Sequence, residues 1–259
     1  MPAEDVTTAD KEASKLFFEN LPENFVFPND SVGRKLLEEY GAVFVARGGV
    51  VAPPTVMFEN EREVSKFQSS VGKSRKIIGG FKIELQTAAM RSLKKAVSEA
   101  AEKNLSITPR GSDAARRSYS ETVELWASRV EPALAYWLEK GRLTPPQARR
   151  IKSLAPVSQI SEILQLEEQG IFFSRDFSKS ILYSVAAPGT SQHLSMLALD
   201  VAEHDNAEVR RILANHDWYQ TVISDLPHFT YLGAAQSELP KLGLKKTLSG
   251  DRDFWIPAL

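Results

Sequence analysis

The sequence contains no cysteine, and this absence limits the chemistry that the chain can perform. Without thiols there is no disulfide, no thiolate metal site and no cysteine nucleophile. Histidine and carboxylate side chains are the candidates that remain as metal ligands.

The chain also lacks an excess of charge of either sign. It has 32 Lys and Arg residues against 33 Asp and Glu residues, for a formal net charge of −1. Nucleic acids and anionic lipids bind proteins largely through clustered positive charge. We therefore do not expect a nucleic acid partner.

Long hydrophobic runs are missing as well. The N-terminal segment MPAEDVTTADKEASK is polar, so the chain as given shows neither a signal peptide nor a membrane-spanning segment. With 259 residues, 42% of them hydrophobic, the chain is long enough for a sizeable core. We expect an arm over the first fifteen or so residues, an arm and first helix over 1–36, and one domain over 37–259.

Periodicity predicts a mixture of helices and short strands. We expect strands at 42–46, 105–108, 181–185, 197–201 and 228–233, and an interrupted strand or edge segment at 50–58. In the strand at 197–201, Asp200 would share a face with Ala198 and lie opposite Leu199. Without a regular βαβ repeat, the pattern favours an α+β fold with a mainly antiparallel sheet flanked by helices.

Helices are predicted at 84–103 and 113–140, with Pro132 expected to kink or break the second one. Thr144 is a candidate N-cap for a further helix that has prolines in its first turn. Residues 113–170 therefore form a helical insertion. If it covers a binding site, substrates would be short chain ends, and if it lies away, larger substrates would have access.

Two short segments carry the residues that suggest function. SQHLSMLALD (191–200) contains His193 and Asp200, and DLPHFTY (225–231) contains Asp225 and His228. Catalytic zinc usually has three protein ligands and an open position for water. His193, Asp200 and His228 could be those ligands, and Asp225 the base that takes a proton from the attacking water.

Other interpretations of these residues remain open. The histidines could have a structural role within a helical interaction protein, and Asp200 could be a helix N-cap or a turn residue. His204 and His216 lie in a polar stretch, where we expect solvated positions in a loop or at a helix end. Of the tryptophans, Trp126 and Trp137 fit a core, whereas Trp218 could line a substrate groove.

The spacing Ser191-x-His193-x-x-x-x-Ala198-x-Asp200, followed by Asp225-x-x-His228, resembles the signature of a known family. The D-alanyl-D-alanine carboxypeptidases of the VanY and VanX type, in peptidase family M15, have S-x-H-x-x-G-x-A-x-D followed by E-x-x-H. Outside the glycine, five of six marked positions are identical. The similarity extends upstream through the helix ELQTAAMRSLKKAVSEAAEK and the segment ITPRGSDAARRSY, over roughly residues 80–235.

The resemblance implies a hedgehog/DD-peptidase-like fold and Zn²⁺ on His193, Asp200 and His228. It implies that Asp225 is the base and Ser191 holds the substrate or orients a ligand. Arg110 is the preferred candidate for the arginine that stabilises the oxyanion. Arg116 and Arg117 are rivals for that role, although solvated positions on a helix are the favoured interpretation for both.

Two residues depart from the family pattern. Met196 replaces the signature glycine, which predicts a different local backbone or a tighter pocket wall. Asp225 is one methylene shorter than the glutamate of the signature, so the scissile bond is less well defined.

The resemblance implies a periplasmic or extracellular zinc metallopeptidase. It would hydrolyse the D-Ala-D-Ala terminus, or another short peptide bond, of bacterial peptidoglycan, so its partner would be a peptidoglycan peptide or a small D-amino-acid peptide. The alternative is a non-catalytic zinc-binding module of the same fold, as in hedgehog signalling domains, that acts through a partner. The sequence does not define the oligomeric state.

Overall fold

Residues 8–259 are described by a computed structural model that combines helices with small antiparallel sheets. The chain is 47% helical, which is compatible with the α+β class. The α-helices are α1 (Thr8–Glu19), α2 (Ser31–Tyr40), α3 (Glu61–Ser70), α4 (Thr87–Glu102), α5 (Tyr119–Glu139), α6 (Pro145–Ser153), α7 (Pro156–Glu168) and α8 (Ala207–Asn215). Four 3₁₀ helices cover Gly41–Val45, Ile181–Tyr183, Gln192–Ser195 and Gln236–Leu242.

Seven strands form three separate antiparallel sheets within the described residues. They are β1 (Lys73–Ile78), β2 (Phe81–Gln86), β3 (Ala198–Asp200), β4 (Trp218–Tyr219), β5 (His228–Tyr231), β6 (Leu244–Ser249) and β7 (Arg252–Pro257). β1 pairs with β2, β6 pairs with β7, and the central sheet has the order β3-β5-β4. The strands predicted near 197–201 and 228–233 are thus confirmed as β3 and β5.

The two hairpins were not predicted, although each has a recognisable turn. Gly79 and Gly80 connect β1 to β2 and both have positive φ, at 54° and 85°. Two-residue turns of this kind favour glycine because their backbone is left-handed. Gly250 begins the corresponding turn between β6 and β7. The charged residues of KSRK and LKK lie in strands that are largely exposed to solvent, so these strands lack the alternation of polar and apolar residues by which a strand is predicted.

Four predicted strands are wrong. Residues 42–46 lie largely in a 3₁₀ helix, as do residues 181–183 of the segment 181–185, while 50–58 and 105–108 are irregular. Each is a short apolar run, and complete burial removes the alternation that distinguishes a strand from other buried backbone. Ala42 to Ala46 are all buried, for example, so their apolar character reports burial rather than strand geometry.

The structure also differs from the prediction of an N-terminal arm that is separate from the domain. Residues 1–7 of the expected arm lie outside the described residues, but 8–15 belong to α1, which is anchored by the fully buried Phe17. The division expected between 36 and 37 falls inside α2, where both Leu36 and Leu37 belong to the main core.

The helical predictions are largely confirmed. α4 covers most of 84–103, and α5, α6 and α7 occupy the predicted insertion. Thr144 caps α6 by accepting a hydrogen bond from the backbone N–H of Gln147, as expected. α5 instead continues through Pro132 without a break. The carbonyl that the proline leaves without its helical donor belongs to the exposed residue Ser128 and accepts a hydrogen bond from Nη1 of Arg129 at 3.5 Å.

One large core joins the helices to the central sheet, and a smaller cluster lies beside it. The smaller cluster contains Phe58, Val64, Phe67, Val71, Tyr119, Leu194 and Met196. It packs directly behind the 3₁₀ helix Gln192–Ser195 and so supports the segment that carries His193. Between residues 8 and 259, no helix is both long and apolar enough to cross a membrane.

Candidate metal centre

The pairing of β3 with β5 brings two of the predicted ligands together. Asp200 and His228 are direct partners in the antiparallel register. Side chains of directly opposed residues lie on the same face of a sheet, with Cβ atoms about 4.5–5.5 Å apart. Two strands predicted independently therefore place a carboxylate beside an imidazole.

The third ligand comes from the turn that precedes β3. His193 lies in the 3₁₀ helix Gln192–Ser195 and is only 2% exposed. Its Nε2 lies 3.2 Å from Oδ1 of Asp200, and Nδ1 of His228 lies 3.2 Å from the same oxygen. The two rings are nearly perpendicular, with an interplanar angle of 78°. One ligand atom from each of the three residues lies within 4.8 Å of the others, so the group could hold a metal ion.

The hydrogen bonds of Gln192 determine which nitrogen of His228 carries a proton. The side-chain Nε2 of Gln192 donates to the backbone carbonyl of Tyr40 at 2.9 Å, so its Oε1 must face the other way. That oxygen lies 2.9 Å from Nε2 of His228, which must therefore donate to it. In the neutral imidazole, Nδ1 is then left with a lone pair directed at Asp200.

His193 is held in the complementary tautomer. Its Nδ1 donates to the carbonyl of Ala115 at 3.0 Å, so its Nε2 presents a lone pair to Asp200. When both imidazoles are neutral, their lone pairs converge on one carboxylate oxygen, and either a proton on one ring or a cation between the three side chains would stabilise this arrangement. Hydrogen-bond acceptors on the outer nitrogens are typical of metal-bound histidines.

The distances also fit a small tetrahedral ion. Ligand bonds of about 2.0–2.1 Å at tetrahedral angles place neighbouring ligand atoms roughly 3.3 Å apart. The two distances to Oδ1 of Asp200 are both 3.2 Å. These two distances therefore match those between neighbouring ligands of a tetrahedral ion.

Comparisons of the chain with protein-family models, curated proteins and solved structures gave no match. The chemistry of the site must therefore be inferred from its own residues.

Electrostatics favour the protonation states of His193 and Asp200 that a metal needs. Burial lowers the pKa of His193, against the opposing influence of Asp200, so the imidazole remains neutral. Burial would raise the pKa of Asp200, but its interactions with His193 and His228 hold that pKa well below its ordinary value, so the carboxylate is ionised. Neutral imidazoles and an ionised carboxylate are the forms that bind metal.

Arg117 is closer to this centre than its sequence suggested. Its Nη2 lies 3.0 Å from Oδ2 of Asp200, the carboxylate oxygen turned away from the imidazoles. Neither Arg117 nor Arg116 lies on a helix, because α5 begins only at Tyr119. The expected solvated helical position is therefore wrong for Arg117, while Arg116 is exposed and donates to Gln68.

A cavity of about 250 Å³ opens beside the three ligands. Its lining includes the remaining predicted residues Arg110, Ser191 and Asp225. Asp225 is exposed in the turn before β5, and the backbone N–H of His228 donates to its carbonyl at 3.1 Å. The structure therefore brings together the proposed base, the preferred arginine and the candidate ligands at one cavity.

Trp218 does not belong to this site. It lies in β4, is completely buried and packs against Tyr231, with 5.5 Å between ring centroids. It is not among the described residues that line the cavity. Trp126 and Trp137 are core residues, as favoured by their helical spacing. His204 and His216 also lie outside the ligand group, in a turn and at the end of α8.

The hydroxyl of Tyr40 is a polar group in the cavity that sequence analysis missed. Tyr40 is 4% exposed, lines the cavity, and its hydroxyl has no hydrogen-bond partner among the described residues. Burial raises its pKa well above the ordinary value, so the hydroxyl remains a neutral donor. A buried donor without a partner is costly.

Sequence analysis also missed the glutamines that hold the site in place. Gln68 donates to the carbonyls of Arg117 and Leu194, and Gln86 donates to the carbonyl of Ser195. Gln192 is the unspecified middle residue of the Ser-x-His motif. No periodicity marks any of them, although Gln192 lies directly beside a predicted ligand.

Met196 has the backbone expected of the glycine that it replaces. Its φ is 57° and its ψ is 31°, in the left-handed region that glycine adopts at no steric cost. The side chain is fully buried in the smaller cluster. The different local backbone expected for a methionine at this position is therefore not observed. The packing of the side chain in the smaller cluster offsets the conformational cost of the left-handed backbone.

Proposed function

We propose that this chain is a zinc-dependent peptidase that hydrolyses the D-Ala-D-Ala terminus, or another short peptide bond, of bacterial peptidoglycan. The observation that carries the proposal is the convergence of two imidazole lone pairs on Oδ1 of Asp200. The N/O donor set fits Zn²⁺, and three protein ligands with an open cavity beside them are typical of catalytic rather than structural zinc sites.

When bound, the ion would polarise the scissile carbonyl and lower the pKa of the attacking water. Asp225, exposed at the cavity, would take the proton from that water and return it to the leaving amine. Arg110 would stabilise the negative charge that develops on the carbonyl oxygen. Ser191, which also lines the cavity, would hold the substrate or orient a ligand.

Tyr40 and Arg117 extend this set. The unpartnered hydroxyl of Tyr40 would donate to a substrate oxygen. Arg117 is a positioning residue, because its guanidinium fixes the orientation of the Asp200 carboxylate. The resemblance to family M15 supports the roles proposed for Asp225, Arg110 and Ser191. It also supports a hedgehog/DD-peptidase-like fold and a periplasmic or extracellular location.

The first test is metal content and activity of the natural chain. The purified protein should contain one zinc ion per chain by elemental analysis and release D-Ala from muropeptides ending in D-Ala-D-Ala. His193→Ala should lose both properties. His216→Ala is the matched control, because His216 pairs with Glu99 outside the site, and it should retain both.

The result also separates the proposal from its alternatives. Zinc bound without hydrolysis of any muropeptide would select the non-catalytic zinc-binding module. No zinc in the natural protein, and none after reconstitution, would overturn the metal site itself.

A further inference from the structure

A second cavity lies apart from the one beside the candidate metal ligands, and within residues 8–259 the two have no lining residue in common. Its volume is about 900 Å³, and residues from 22–26, from 46–59 and from α3 line it. Ligand pockets usually occupy roughly 300–1,000 Å³. The cavity is therefore large enough to hold several side chains of another molecule.

One wall of this cavity contains a residue whose backbone is held as in a β-sheet. The N–H of Val51 donates to Oε1 of Gln86 at 2.9 Å, and its carbonyl accepts from Nε2 of the same amide at 2.8 Å. Both backbone groups of Val51 thus point to the same side, as they do in an extended strand. We call residues 50–52 the edge segment.

The residues on either side of Val51 direct their backbone groups the other way, because successive residues of an extended chain point their N–H and C=O groups to opposite edges. Within residues 8–259, the N–H and C=O groups of Val50 and Ala52 have no backbone hydrogen-bond partner. Both residues line the cavity. The edge segment therefore offers unpaired donors and acceptors beside it.

The segment on the other side of the cavity meets the same stretch of chain at one point. Val26 forms an isolated parallel bridge with Thr55, and its N–H donates to the carbonyl of Pro54 at 2.8 Å. In the part of the chain that the structure describes, residues 22–24 make no backbone hydrogen bond to the edge segment, although both line the cavity. The cavity thus separates two segments that are paired at one end.

The rim and the charges of the cavity indicate which chemistry fits it. Val26 is 65% exposed and Val51 is 52% exposed, so apolar side chains face solvent on both segments. Four charged residues line the cavity, two of each sign: Arg47, Lys66, Glu59 and Glu63. Because these charges balance, an uncharged and apolar ligand complements the lining better than an ionic one.

We propose that this cavity binds an extended, uncharged and apolar segment of a partner polypeptide. The backbone of that segment would pair with Val50 and Ala52, and its alternate side chains would enter the cavity, as in other cases of strand addition to an exposed edge. The interaction surface is separate from the candidate metal centre and does not depend on the proposed peptidase function.

The experiment uses two fluorescein-labelled peptides, Thr-Val-Thr-Val-Thr and Val-Thr-Val-Thr-Val, so that valines can face the cavity in either register. Each peptide is compared with an analogue that is methylated at every peptide nitrogen, which keeps the side chains and removes the backbone donors. Fluorescence anisotropy should show saturable binding of at least one parent peptide to the natural protein. Its methylated analogue should bind about 10-fold more weakly or worse, since several hydrogen bonds are lost.

Two variants test the location of the bound peptide. Val26→Asp and Val51→Asp each place a charge on the apolar rim, one on either segment, and should weaken binding about 10-fold or more. Ile77→Asp is the matched control, because Ile77 is 73% exposed on β1 and is not among the described residues that line the cavity. It should bind the peptide as the natural protein does. Circular dichroism of each variant would show that its fold is intact.

Four results would overturn the proposal. Neither parent peptide binds; or a methylated analogue binds as well as its parent, which would mean that the cavity takes an apolar ligand without backbone pairing; or both rim variants keep full affinity, which would place the peptide elsewhere. In the fourth, light scattering shows a dimer of the natural protein that Val26→Asp dissociates, so that a second copy of the chain occupies the cavity. None of these readouts needs hydrolysis, so failure of the peptidase proposal leaves the test unaffected.

Discussion

The side-chain oxygen of Gln192 lies 2.9 Å from Nε2 of His228, on the opposite side of the imidazole from Asp200. Because the amide of Gln192 is oriented by the carbonyl of Tyr40, this contact selects the tautomer of a candidate metal ligand. A glutamine outside the candidate ligand set thus orients one of the candidate ligands.

Replacement of Gln192 should weaken metal binding. Gln192→Leu would leave the Nε2–H of His228 buried without an acceptor, at a cost of about 1–3 kcal/mol in the free energy of unfolding. Loss of such an outer partner typically lowers metal affinity 10- to 100-fold. Competition titration with a chromogenic zinc chelator and thermal denaturation measure the two effects.

Gln159→Leu provides the control for that variant. Gln159 accepts from the indole N–H of Trp126 and donates to the carbonyl of Ile151, both in the helical insertion. Its replacement should lower stability but leave zinc affinity unchanged. Equal losses of zinc affinity in both variants would show that the effect of Gln192 is not specific to the site.

Arg117 should stabilise the protein more when metal is absent than when it is present. Arg117→Gln removes the partner of a largely buried carboxylate, which we expect to cost about 1–3 kcal/mol without metal. A bound cation would compensate the charge of Asp200, so the loss should shrink in the zinc-loaded protein. Urea denaturation with and without zinc measures both values.

Arg211→Gln is the matched control, since Arg211 is exposed and pairs with Glu208 rather than Asp200. Its effect on unfolding should be small and independent of zinc. An equal loss for Arg117→Gln with and without zinc would contradict the placement of Asp200 as a ligand.

Two substitutions at Met196 should separate backbone strain from packing. Met196→Ala and Met196→Gly both remove a fully buried side chain, which costs roughly 2–5 kcal/mol for methionine to alanine. Glycine avoids the penalty of about 1–2 kcal/mol that other residues incur in the left-handed region. We therefore expect both variants to be less stable than the natural protein, with the glycine variant about 1 kcal/mol more stable than the alanine variant.

Chemical denaturation of the two variants provides the comparison. If alanine is as stable as glycine at this position, the positive φ of 57° at Met196 is not a feature of the folded protein.

Stability should depend on pH through Glu167, far from the metal ligands in sequence. Burial raises the pKa of Glu167, although the backbone N–H groups of Phe173 and Ile181 donate to its carboxyl group. The folded state therefore holds a proton that the unfolded state releases as pH rises above about 4.3. Stability is lost as pH rises from that value through the raised pKa of the folded state.

Glu167→Gln keeps an acceptor for both N–H groups and removes the titration. The stability difference between Glu167→Gln and the natural protein should shift in favour of the variant between pH 4 and pH 7. Thermal denaturation across this range measures it. A constant difference would mean that Glu167 does not titrate differently in the folded and unfolded states.

The sequence alone was sufficient for the local features of the candidate site. The alternation in 197–201 and the aromatic run 228–231 predicted the two strands, and the spacing of His193, Asp200, Asp225 and His228 predicted residues that all line one cavity. Thr144 and the helix-forming residues of the insertion predicted α6 and most of α5, and α7 lies within the predicted helical insertion without having been predicted as a separate helix. These features could be predicted because strand alternation, capping and helix propensity depend on neighbouring residues in the sequence.

Only the tertiary structure decided how the site is completed. Arg117 reaches Asp200 because the segment 108–114 runs beside β3, where the backbone N–H of Asp200 donates to the carbonyl of Ala114 at 2.8 Å. Gln192 and Tyr40 lie far apart in the sequence, and no local pattern predicts the hydrogen bond between them. Such contacts depend on packing between distant segments, which hydrophobic periodicity does not encode.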